Sequence, residues 1–472
     1  MSKHLVIFLL LLTVGLGQTS AQTLTTLWQF NNPGTNGDYP EAGLVQGSDG
    51  YFYGTTYFGG NTNLNNGGGY GTVFRISSTG SLTTLYEFGG VATDGIFPHA
   101  GLAQGHDGYL YGTTTEGGTN SQGTMFRISS AGSLTTVYQF SAATEDESPV
   151  AGLVLGSDGY FYGTTYGGGT NYEGTVFRIS SAGTVTTLYQ FGGLATDGHD
   201  PEAGLVQGSD SYFYGTTYAG GTNNVGTVFR VNSAGSLTTL YQFSRFDEHG
   251  QSPQSGLVQG VDGYFYGATF SGGTNGDGTV YRISSAGTLT TLWQFSGADG
   301  RDPDASLLQG SDGYFYGTTV QGGATNCIGG CGTIFRISST GTLTTQYRFG
   351  VRPTDGQFPE TPLVQGSDGY FYGTTINGGI YGDGTVYKLV VPLNPPANQI
   401  SAIQVSNTKL VFAVPSVAGE TYQLQFTTDP SSGSWSNIGG ASVTNSIGAL
   451  LTLTNFGGAS PPQGFYRFDI TP

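Results

Sequence analysis

The chain alternates short apolar runs with glycine-rich turns, and one such pattern recurs seven times. Around Asp158 it reads GLVLGSDGYFYGTT, followed by a glycine-rich loop, GTVFRIS, a turn and VTTLYQF. Runs of this length that are rich in Val, Tyr, Phe and Thr and bounded by Gly, Asp and Ser are typical of β-strands. Each repeat therefore predicts four strands, joined by two tight turns and one longer loop.

The spacing of the repeats and their phase at the two ends predict a closed ring. The aspartate of the first turn recurs every 50 to 58 residues, at Asp49, Asp107, Asp158, Asp210, Asp262, Asp312 and Asp368. Four strands in about 50 residues is the size of a β-propeller blade, and a solenoid coil would be about half as long. The first repeat segment (24–30) matches a fourth strand, and the last repeat stops after a third strand near Leu389. We therefore predict an all-β chain with a seven-bladed β-propeller over residues 22–391, closed by the N-terminal strand.

Three further segments flank the repeats. Residues 1–21 combine Lys3, an apolar run over 5–16 and small residues before Gln22, a pattern typical of a signal peptide. A proline-rich segment, 392–399, predicts a linker, and about six alternating strands in 400–472 predict a small β-sandwich. No later run reaches the roughly 20 apolar residues of a membrane helix. The mature protein is expected to be secreted or associated with the cell surface, without an integral membrane segment.

Composition narrows the class of protein. With 83 glycines, 13% aromatic and only 10% charged residues, the chain fits neither a helix bundle nor a disordered protein. A net charge of −17 argues against a nucleic-acid partner. Cys327 and Cys331 lie in a CIGGC loop, and in an exported protein we expect them to form a disulfide. The alternative, a zinc site, would lack a neighbouring histidine.

Charge separates the two faces of the predicted propeller. The turn face carries the DG and SAG turns, which are nearly constant; the loop face carries the loops between second and third strands and those between blades. Twenty acidic residues but only three arginines fall in the loops of the loop face, which therefore hold the whole net charge of −17. Binding residues concentrate in variable loops on a rigid scaffold, so we place the site on the loop face.

The acidic loops admit three interpretations: a solvated surface that keeps the protein soluble, a calcium site, and recognition of a polar or cationic partner. The densest cluster is DGRDPD, and Asp299, Asp302 and Asp304 are its candidate calcium ligands. The motif does not match an EF-hand, because Pro303 interrupts it. Calcium is the one cofactor that these acidic loops suggest.

Other loop residues are candidates for contact with a ligand. His199 lies between Asp197 and Asp200, which suits an acid–base or metal-binding role or a simple surface histidine. Tyr39, Phe97 and Phe358 each precede a proline and are candidates for an exposed aromatic platform. No GxSxG, HExxH or Walker motif occurs, so no catalytic residue is assigned.

The repeat DGYFYGTT…GG…GTVFRIS…G resembles the GloVer (Gloeo/Verruco) tandem repeat of exported bacterial proteins over residues 24–390. The C-terminal pattern GETYQLQFTTD…W…GFYRF is similar to small β domains that end many related exported proteins. The resemblance implies an extracytoplasmic location and propeller-like repeats, and it implies no enzyme activity. This chain lacks the hydrophobic segment with a basic tail that a C-terminal membrane anchor would need.

These observations favour an exported, non-enzymatic binding or scaffold protein that presents an acidic propeller face to an extracellular polysaccharide or protein. One alternative is a polysaccharide-acting lyase or hydrolase that uses loop carboxylates such as Asp200 and Asp302. A second alternative is a structural subunit of an extracellular assembly. The oligomeric state is left open.

Overall fold

The computed structural model describes residues 23–31, 36–141, 146–245, 248–324 and 326–391, and six strands between residues 402 and 471. The predicted signal peptide (1–21) and linker (392–399) lie outside the described residues, as do the side chains of the C-terminal strands. The chain divides into two compact units, and the larger one contains residues 23–309 and 315–390.

The larger unit is a seven-bladed β-propeller, in which each blade is a four-stranded antiparallel sheet. Blades 1 to 3 consist of Val45–Gln46, Phe52–Thr56, Thr72–Ile76 and Leu82–Glu87; Ala103–Gln104, Leu110–Thr114, Thr124–Ile128 and Leu134–Gln139; Val154–Leu155, Phe161–Thr165, Thr175–Ile179 and Val185–Gln190. Blades 4 and 5 consist of Val206–Gln207, Phe213–Thr217, Thr227–Val231 and Leu237–Gln242; Val258–Gln259, Phe265–Thr269, Thr279–Ile283 and Leu289–Gln294. Blades 6 and 7 consist of Leu308–Gln309, Phe315–Thr319, Thr333–Ile337 and Leu343–Arg348; Val364–Gln365, Phe371–Thr375, Thr385–Val390 and Thr23–Gln29.

The outermost strand of the blade 7 sheet, Thr23–Gln29, is the first strand in the described part of the chain. Thr23–Gln29 pairs antiparallel with Thr385–Val390, from Thr23 opposite Val390 to Gln29 opposite Thr385. A register shift between Thr26 and Trp28 interrupts this ladder. The third and fourth strands of the other blades contain an equivalent shift, as between Val176 and Phe177 in blade 3.

The burial of each strand follows its sequence pattern. In blade 3 every residue of Phe161–Thr165 is buried, whereas Val185–Gln190 contains exposed and half-buried positions. The second strands are covered on both faces, so even their threonines are buried, and Thr165 Oγ1 forms a hydrogen bond with Thr175 Oγ1 at 2.8 Å. The outermost strands have one solvated side and carry threonines there.

Aromatic pairs join one blade to the next. Tyr162 of blade 3 stacks on Phe213 of blade 4 with ring centroids 3.8 Å apart, and Tyr214 stacks in the same way on Phe265 of blade 5. The same contact joins blade 7 to blade 1, where Tyr372 and Phe52 lie 4.0 Å apart. The tyrosines and phenylalanines in the middle of each repeat therefore form the core between blades.

A side-chain network organises the turn face. In blade 3, Asp158 Oδ1 accepts the backbone N–H of Tyr160 at 3.2 Å, and Oδ2 accepts the hydroxyl of Tyr162 at 2.7 Å. The Arg178 guanidinium lies 5.0 Å from the centre of the Tyr160 ring and donates to the carbonyl of Ser233 in the next blade. Each turn aspartate thus caps its own turn, while the arginine contacts the neighbouring blade.

Short elements complete the described chain. Four two-residue ribbons lie on the loop face: Gly95–Ile96 with Glu116–Gly117, Asp146–Glu147 with Gly167–Gly168, Gly198–His199 with Ala219–Gly220, and Gly356–Gln357 with Asn377–Gly378. Residues Asn65–Gly67 form a 3-10 turn. Among the described residues, no helix is both long and apolar enough to cross a membrane.

The C-terminal strands form two three-stranded antiparallel sheets. One contains Ala402–Ser406, Lys409–Pro415 and Leu450–Thr454, and the other contains Ser436–Thr444, Thr421–Thr427 and Phe465–Thr471. Six strands agree with the number expected from the sequence. That the two sheets pack as a β-sandwich stays a prediction.

Candidate functional site

On the loop face, a strained backbone kink precedes the first strand of every blade. The residue before each proline has a left-handed backbone, with φ between 50° and 59°; these residues are Tyr39, Phe97, Ser148, Asp200, Ser252, Asp302 and Phe358. At Asp200, the N–H donates to the carbonyl of Glu173 at 3.1 Å, and the carbonyl accepts the N–H of Tyr218 at 3.0 Å. Because both peptide groups are held by neighbouring segments, the structure maintains a conformation that non-glycine residues rarely adopt.

The residues that follow these prolines form what we name the axial ring: Glu41, His99, Val150, Glu202, Gln254, Asp304 and Glu360. Two positions further on, successive blades approach closely. A Cβ atom on Gly101 would lie 3.2 Å from the carbonyl oxygen of Gly43, and one on Gly204 would lie 3.0 Å from that of Gly152. The first strands therefore converge around the propeller axis, and the axial ring lies at their loop-face end.

Four of the seven ring residues are carboxylic acids, and their surroundings disfavour the charged form. Burial raises the pKa of Glu41 to about 7. Burial, followed by the charge of Glu41, raises the pKa of Glu360 to about 7. Burial and the charges of Glu360, Glu202 and Asp302 raise the pKa of Asp304 to about 7. The ring is thus a half-buried set of carboxyl groups that repel one another.

Two other members of the axial ring, Gln254 and His99, contact its carboxyl groups. Gln254 Nε2 donates to Glu202 Oε2 at 2.9 Å, which partly offsets the rise that burial causes in the pKa of Glu202. His99 Nε2 lies 3.6 Å from Glu41 Oε2, and burial lowers the pKa of this histidine.

Tyrosines border the axial ring. Tyr57 and Tyr166 occupy the position directly after a second strand, and Tyr166 is 42% exposed. The Tyr166 N–H donates to the carbonyl of Ser148, two residues before the ring member Val150, at 3.1 Å. The charge of Asp200, then burial and the charge of Glu202, raise the pKa of Tyr166. Tyr57 stacks on Phe97 with ring centroids 5.0 Å apart. Carboxyl groups and aromatic faces therefore occur side by side on the loop face.

The three aromatic residues predicted as an exposed platform are half-buried. Phe97 also contacts the rings of Phe58 and Tyr70, each at 5.5 Å, and Tyr39 packs edge-on against Phe58 at 5.8 Å. Phe97 and Tyr39 thus belong to an aromatic cluster at the entrance of blades 1 and 2. Phe358 shares their left-handed backbone at blade 7.

Two of the candidate acidic residues, Asp197 and Asp299, accept hydrogen bonds within their own loops and adjoining strands. Asp197 is buried and accepts the Tyr189 hydroxyl at 2.9 Å and the Gly198 N–H at 3.1 Å. Burial raises the pKa of Asp197, and the hydrogen bond from Tyr189 partly offsets that rise. Asp299 accepts Trp293 Nε1 at 2.8 Å and the backbone N–H of Ser296 at 2.9 Å. Both carboxylates already have protein donors.

The DGRDPD motif directs its carboxylates to different surroundings. Arg301 Nε lies 3.2 Å from Asp302 Oδ2 and 3.8 Å from Asp277 Oδ1, so a guanidinium occupies the space between these two acids. Asp304 is a member of the axial ring, and Asp299 is bound within its own loop. Calcium at Asp299, Asp302 and Asp304 stays a prediction, and this geometry adds no support for it.

His199 is the centre of the one compact metal-ligand set among the described residues. Its Nδ1 lies 2.9 Å from Asp200 Oδ2 and 3.3 Å from Glu173 Oε2, and Nε2 lies 2.8 Å from Asn224 Oδ1. The ligand atoms of Glu173, His199 and Asp200 all lie within 4.8 Å of one another. Burial lowers the pKa of His199, but the hydrogen bonds to Asp200 and Asn224 and the nearby negative charges outweigh it, so the pKa is raised.

Sequence reasoning missed part of this geometry. Glu173 and Asn224 come from loops of blades 3 and 4, about 25 residues from His199 on either side, and no local motif links them. The axial ring had a detectable signal, because its members follow the one proline that recurs at the same position in every repeat. Aligning the seven repeats on that proline would have revealed it.

The predicted disulfide is confirmed. Cys327 and Cys331 are bonded, with their Cα atoms 5.3 Å apart. The bridge lies in the loop between the second and third strands of blade 6, and the Cys331 carbonyl accepts the N–H of Phe358 at the entrance of blade 7. It therefore constrains a loop-face segment that contacts the entrance of the next blade.

Three solved structures that resemble this chain at low sequence identity are enzymes. The periplasmic gluconolactonase PpgL of Pseudomonas aeruginosa is 18% identical, with 84% of this chain and 97% of that chain covered and a TM-score of 0.42. A gluconolactonase of Xanthomonas campestris is 12% identical over 62% of this chain and 85% of that chain, with a TM-score of 0.40. A fungal alcohol oxidase in complex with copper is 12% identical over 92% and 90%, with a TM-score of 0.49. None of these likenesses assigns an activity to this chain.

No curated protein matches the sequence. A family model described as the Gloeobacter/Verrucomicrobia repeat matches residues 17–154, 143–259 and 206–409, which together span the whole propeller. The chain belongs to the Gloeobacter/Verrucomicrobia repeat family.

Proposed function

We propose that this protein is an exported binding protein that uses the loop face of its propeller to hold an extracellular polysaccharide. One observation carries the proposal: the axial ring places four carboxyl groups at the propeller axis, with partly exposed tyrosines beside them. Carboxyl groups accept hydrogen bonds from sugar hydroxyls, and tyrosine faces pack against sugar rings. Sites of this kind occur where loops vary on a rigid scaffold.

The charge of the ring favours a particular class of polysaccharide. Burial raises the pKa of Glu41, Asp304 and Glu360, and neighbouring carboxylates raise the pKa of Asp304 and Glu360 further. A bound anion would add to this repulsion. A uronic-acid polymer therefore fits the site poorly. A neutral polysaccharide, or one that carries amino groups, would offer hydrogen-bond donors or positive charge to the ring.

Binding of the full chain to a panel of neutral, amino-bearing and uronic-acid polysaccharides tests this proposal, with and without calcium. We expect Tyr166→Ala to weaken binding about tenfold, which corresponds to about 1.4 kcal/mol. The matched control is Tyr160→Ala, because Tyr160 precedes the same strand, Phe161–Thr165, that Tyr166 follows. Equal losses in both variants, or binding of uronic-acid polymers alone, would refute the proposal.

A polysaccharide-acting enzyme is the second candidate, and the pKa values near 7 favour it. A general acid is most effective when its pKa lies close to the working pH, and burial gives Glu41 and Glu360 that property. The catalytic pair would then lie in the axial ring, since Asp200 and Asp302 are paired with His199 and Arg301. Turnover of a panel member that is abolished in Glu360→Gln would favour the enzyme over the binding protein.

The remaining parts of the proposal concern assembly. Residues 1–21 would direct export, and the strand Thr23–Gln29 would close the ring by completing blade 7. The C-terminal sheets would form a β-sandwich that attaches the propeller to the cell surface or to another protein. If no polysaccharide binds and the purified chain assembles into oligomers, a structural subunit becomes the better description.

A further inference from the structure

We propose that Glu173, His199 and Asp200 form a binding site for a divalent transition metal ion of the zinc type, at the seam between blades 3 and 4. The site is separate from the axial ring, and the proposal stands whether or not the chain binds a polysaccharide. Three features support it: the separation of the ligand atoms, the tautomer of the histidine and the contrast with an equivalent seam elsewhere in the propeller.

The ligand atoms have the separation that a small cation requires. His199 Nδ1 lies 2.9 Å from Asp200 Oδ2 and 3.3 Å from Glu173 Oε2. Zinc takes nitrogen and oxygen ligands at about 2.0–2.2 Å, so the ligands of a tetrahedral site lie roughly 3.3 Å apart. The three side chains can therefore reach one ion with small adjustments. Their side chains are 22% to 39% exposed, which leaves a route for the ion and an open fourth position.

Hydrogen bonds on the far side of the imidazole fix its tautomer. The Gly220 N–H donates to Asn224 Oδ1 at 3.1 Å, so the acceptor atom on Asn224 is its oxygen. His199 Nε2 lies 2.8 Å from the same oxygen and must donate its proton to it. Metal-bound histidines usually donate their second ring N–H to a carbonyl or carboxylate in this way.

This tautomer leaves Nδ1 facing two carboxylates. Unless Nδ1 carries an additional proton, its lone pair points toward Asp200 and Glu173 and requires a positive charge between them. A bound metal ion supplies that charge and uses the lone pair as a ligand. The imidazolium form is the competing arrangement, in which a proton takes the place of the metal.

The seam between blades 5 and 6 has the same backbone and shows that the position is built for a cation. Asp302 N–H donates to the Asp277 carbonyl at 3.1 Å, as Asp200 N–H donates to the Glu173 carbonyl. Arg301 occupies the position of His199 and places its Nε between the two carboxylates there. One seam thus carries a permanent side-chain cation, and the other carries an imidazole that can hold a metal.

Zinc titration of the full chain, stripped with a chelator and held at mildly alkaline pH, tests the proposal by calorimetry, and cobalt absorption reports the ligand geometry. We expect one equivalent of Zn²⁺ to bind, and His199→Ala to weaken binding by more than tenfold. His199→Arg should abolish binding and retain the melting temperature, because it rebuilds the Arg301 arrangement. In Asn224→Gly the glycine tolerates the φ of 53° at this position, but His199 Nε2 loses its acceptor. This variant should therefore bind zinc about tenfold more weakly.

His249→Ala is the matched control, since His249 is another loop-face histidine and its Nδ1 contacts Thr291 Oγ1 at 2.8 Å. This variant should bind zinc as the parent chain does. Absence of zinc binding by the folded parent chain would overturn the proposal. So would equal binding by His199→Ala, or an unchanged affinity in Asn224→Gly.

Discussion

The turn face and the loop face of the propeller each repeat one backbone feature in all seven blades but treat their side chains differently. On the turn face, Asp158 caps its turn and holds Tyr162, and five further blades contain the same aspartate–tyrosine bond. On the loop face the left-handed kink recurs in every blade, but the residue after its proline is Glu, His, Val, Gln or Asp. Side chains that fill the space between blades are constrained by packing. Those around the axis are free to vary, and function can develop there.

Deleting Thr23–Gln29 should reduce stability most, because both faces of the propeller depend on blades of four strands and blade 7 would keep only three. The deletion leaves Thr385–Val390 without its antiparallel partner and removes the buried side chain of Leu24. An exposed strand edge also promotes aggregation. We expect calorimetry to show that the deletion variant lacks the cooperative unfolding transition at the melting temperature of the parent chain.

A deletion of residues 1–22 is the control, since it retains the whole of this strand. That variant should unfold as the parent chain does. A cooperative transition of unchanged midpoint in the Thr23–Gln29 deletion would contradict the role assigned to this strand.

Two glycine substitutions compare packing on the two faces at nearly equal backbone strain. Gly159 lies in a turn-face turn with φ of +82°, and a Cβ atom there would have no neighbour within 4 Å. Gly220 lies in a loop-face ribbon with φ of +87°, and a Cβ atom there would lie 2.6 Å from the carbonyl oxygen of Asp197. Gly159→Ala should destabilise by about 1–2 kcal/mol through strain alone. Gly220→Ala should add about 1–3 kcal/mol, because backbone atoms must move.

Urea unfolding of both glycine variants measures this difference. Equal losses of unfolding free energy would mean that the loop-face backbone is as open as the turn. The loop face would then lack the rigidity that a positioned site requires.

The turn-face bond between Asp158 and Tyr162 should contribute a smaller but separable amount. Asp158→Ala leaves the hydroxyl of the buried Tyr162 without its acceptor and should cost about 1–3 kcal/mol. Tyr162→Phe removes the donor as well as the need for an acceptor and should cost about 1 kcal/mol. In the double variant the losses should be less than additive, and strict additivity in chemical denaturation would show that the bond contributes nothing.

The sequence predicted the scaffold better than the site, for a physical reason. Strands, turns and the Tyr162–Phe213 type of contact follow from local periodicity repeated seven times, and the bonded Cys327 and Cys331 are four residues apart. No local motif indicated that the Tyr189 hydroxyl would donate to Asp197. Glu173 and Asn224 meet His199 only because blades 3 and 4 lie side by side.

The last expected effect is a pH dependence that belongs to the loop face. Burial raises the pKa of Glu41 from 4.5 to about 7, and burial with the charge of Glu41 does the same for Glu360. Between pH 4.5 and about 7, these two carboxyl groups hold protons in the folded state that they release in the unfolded state. Unfolding free energy must therefore fall as pH rises from about 4.5 to about 7, and this contribution levels off above that range.

Replacing Glu41 and Glu360 with glutamine isolates this contribution, because glutamine resembles the protonated acid and does not titrate. We expect the double variant to gain stability relative to the parent at neutral pH, and to lose part of the decline between pH 4.5 and 7. Tyr162→Phe, on the turn face, should shift the whole profile without altering its slope in this window, since burial and Asp158 raise the pKa of Tyr162 to about 12. If the glutamine variant instead runs parallel to the parent, the axial ring carries no proton-linked strain. The two faces would then differ in side-chain identity but not in electrostatics.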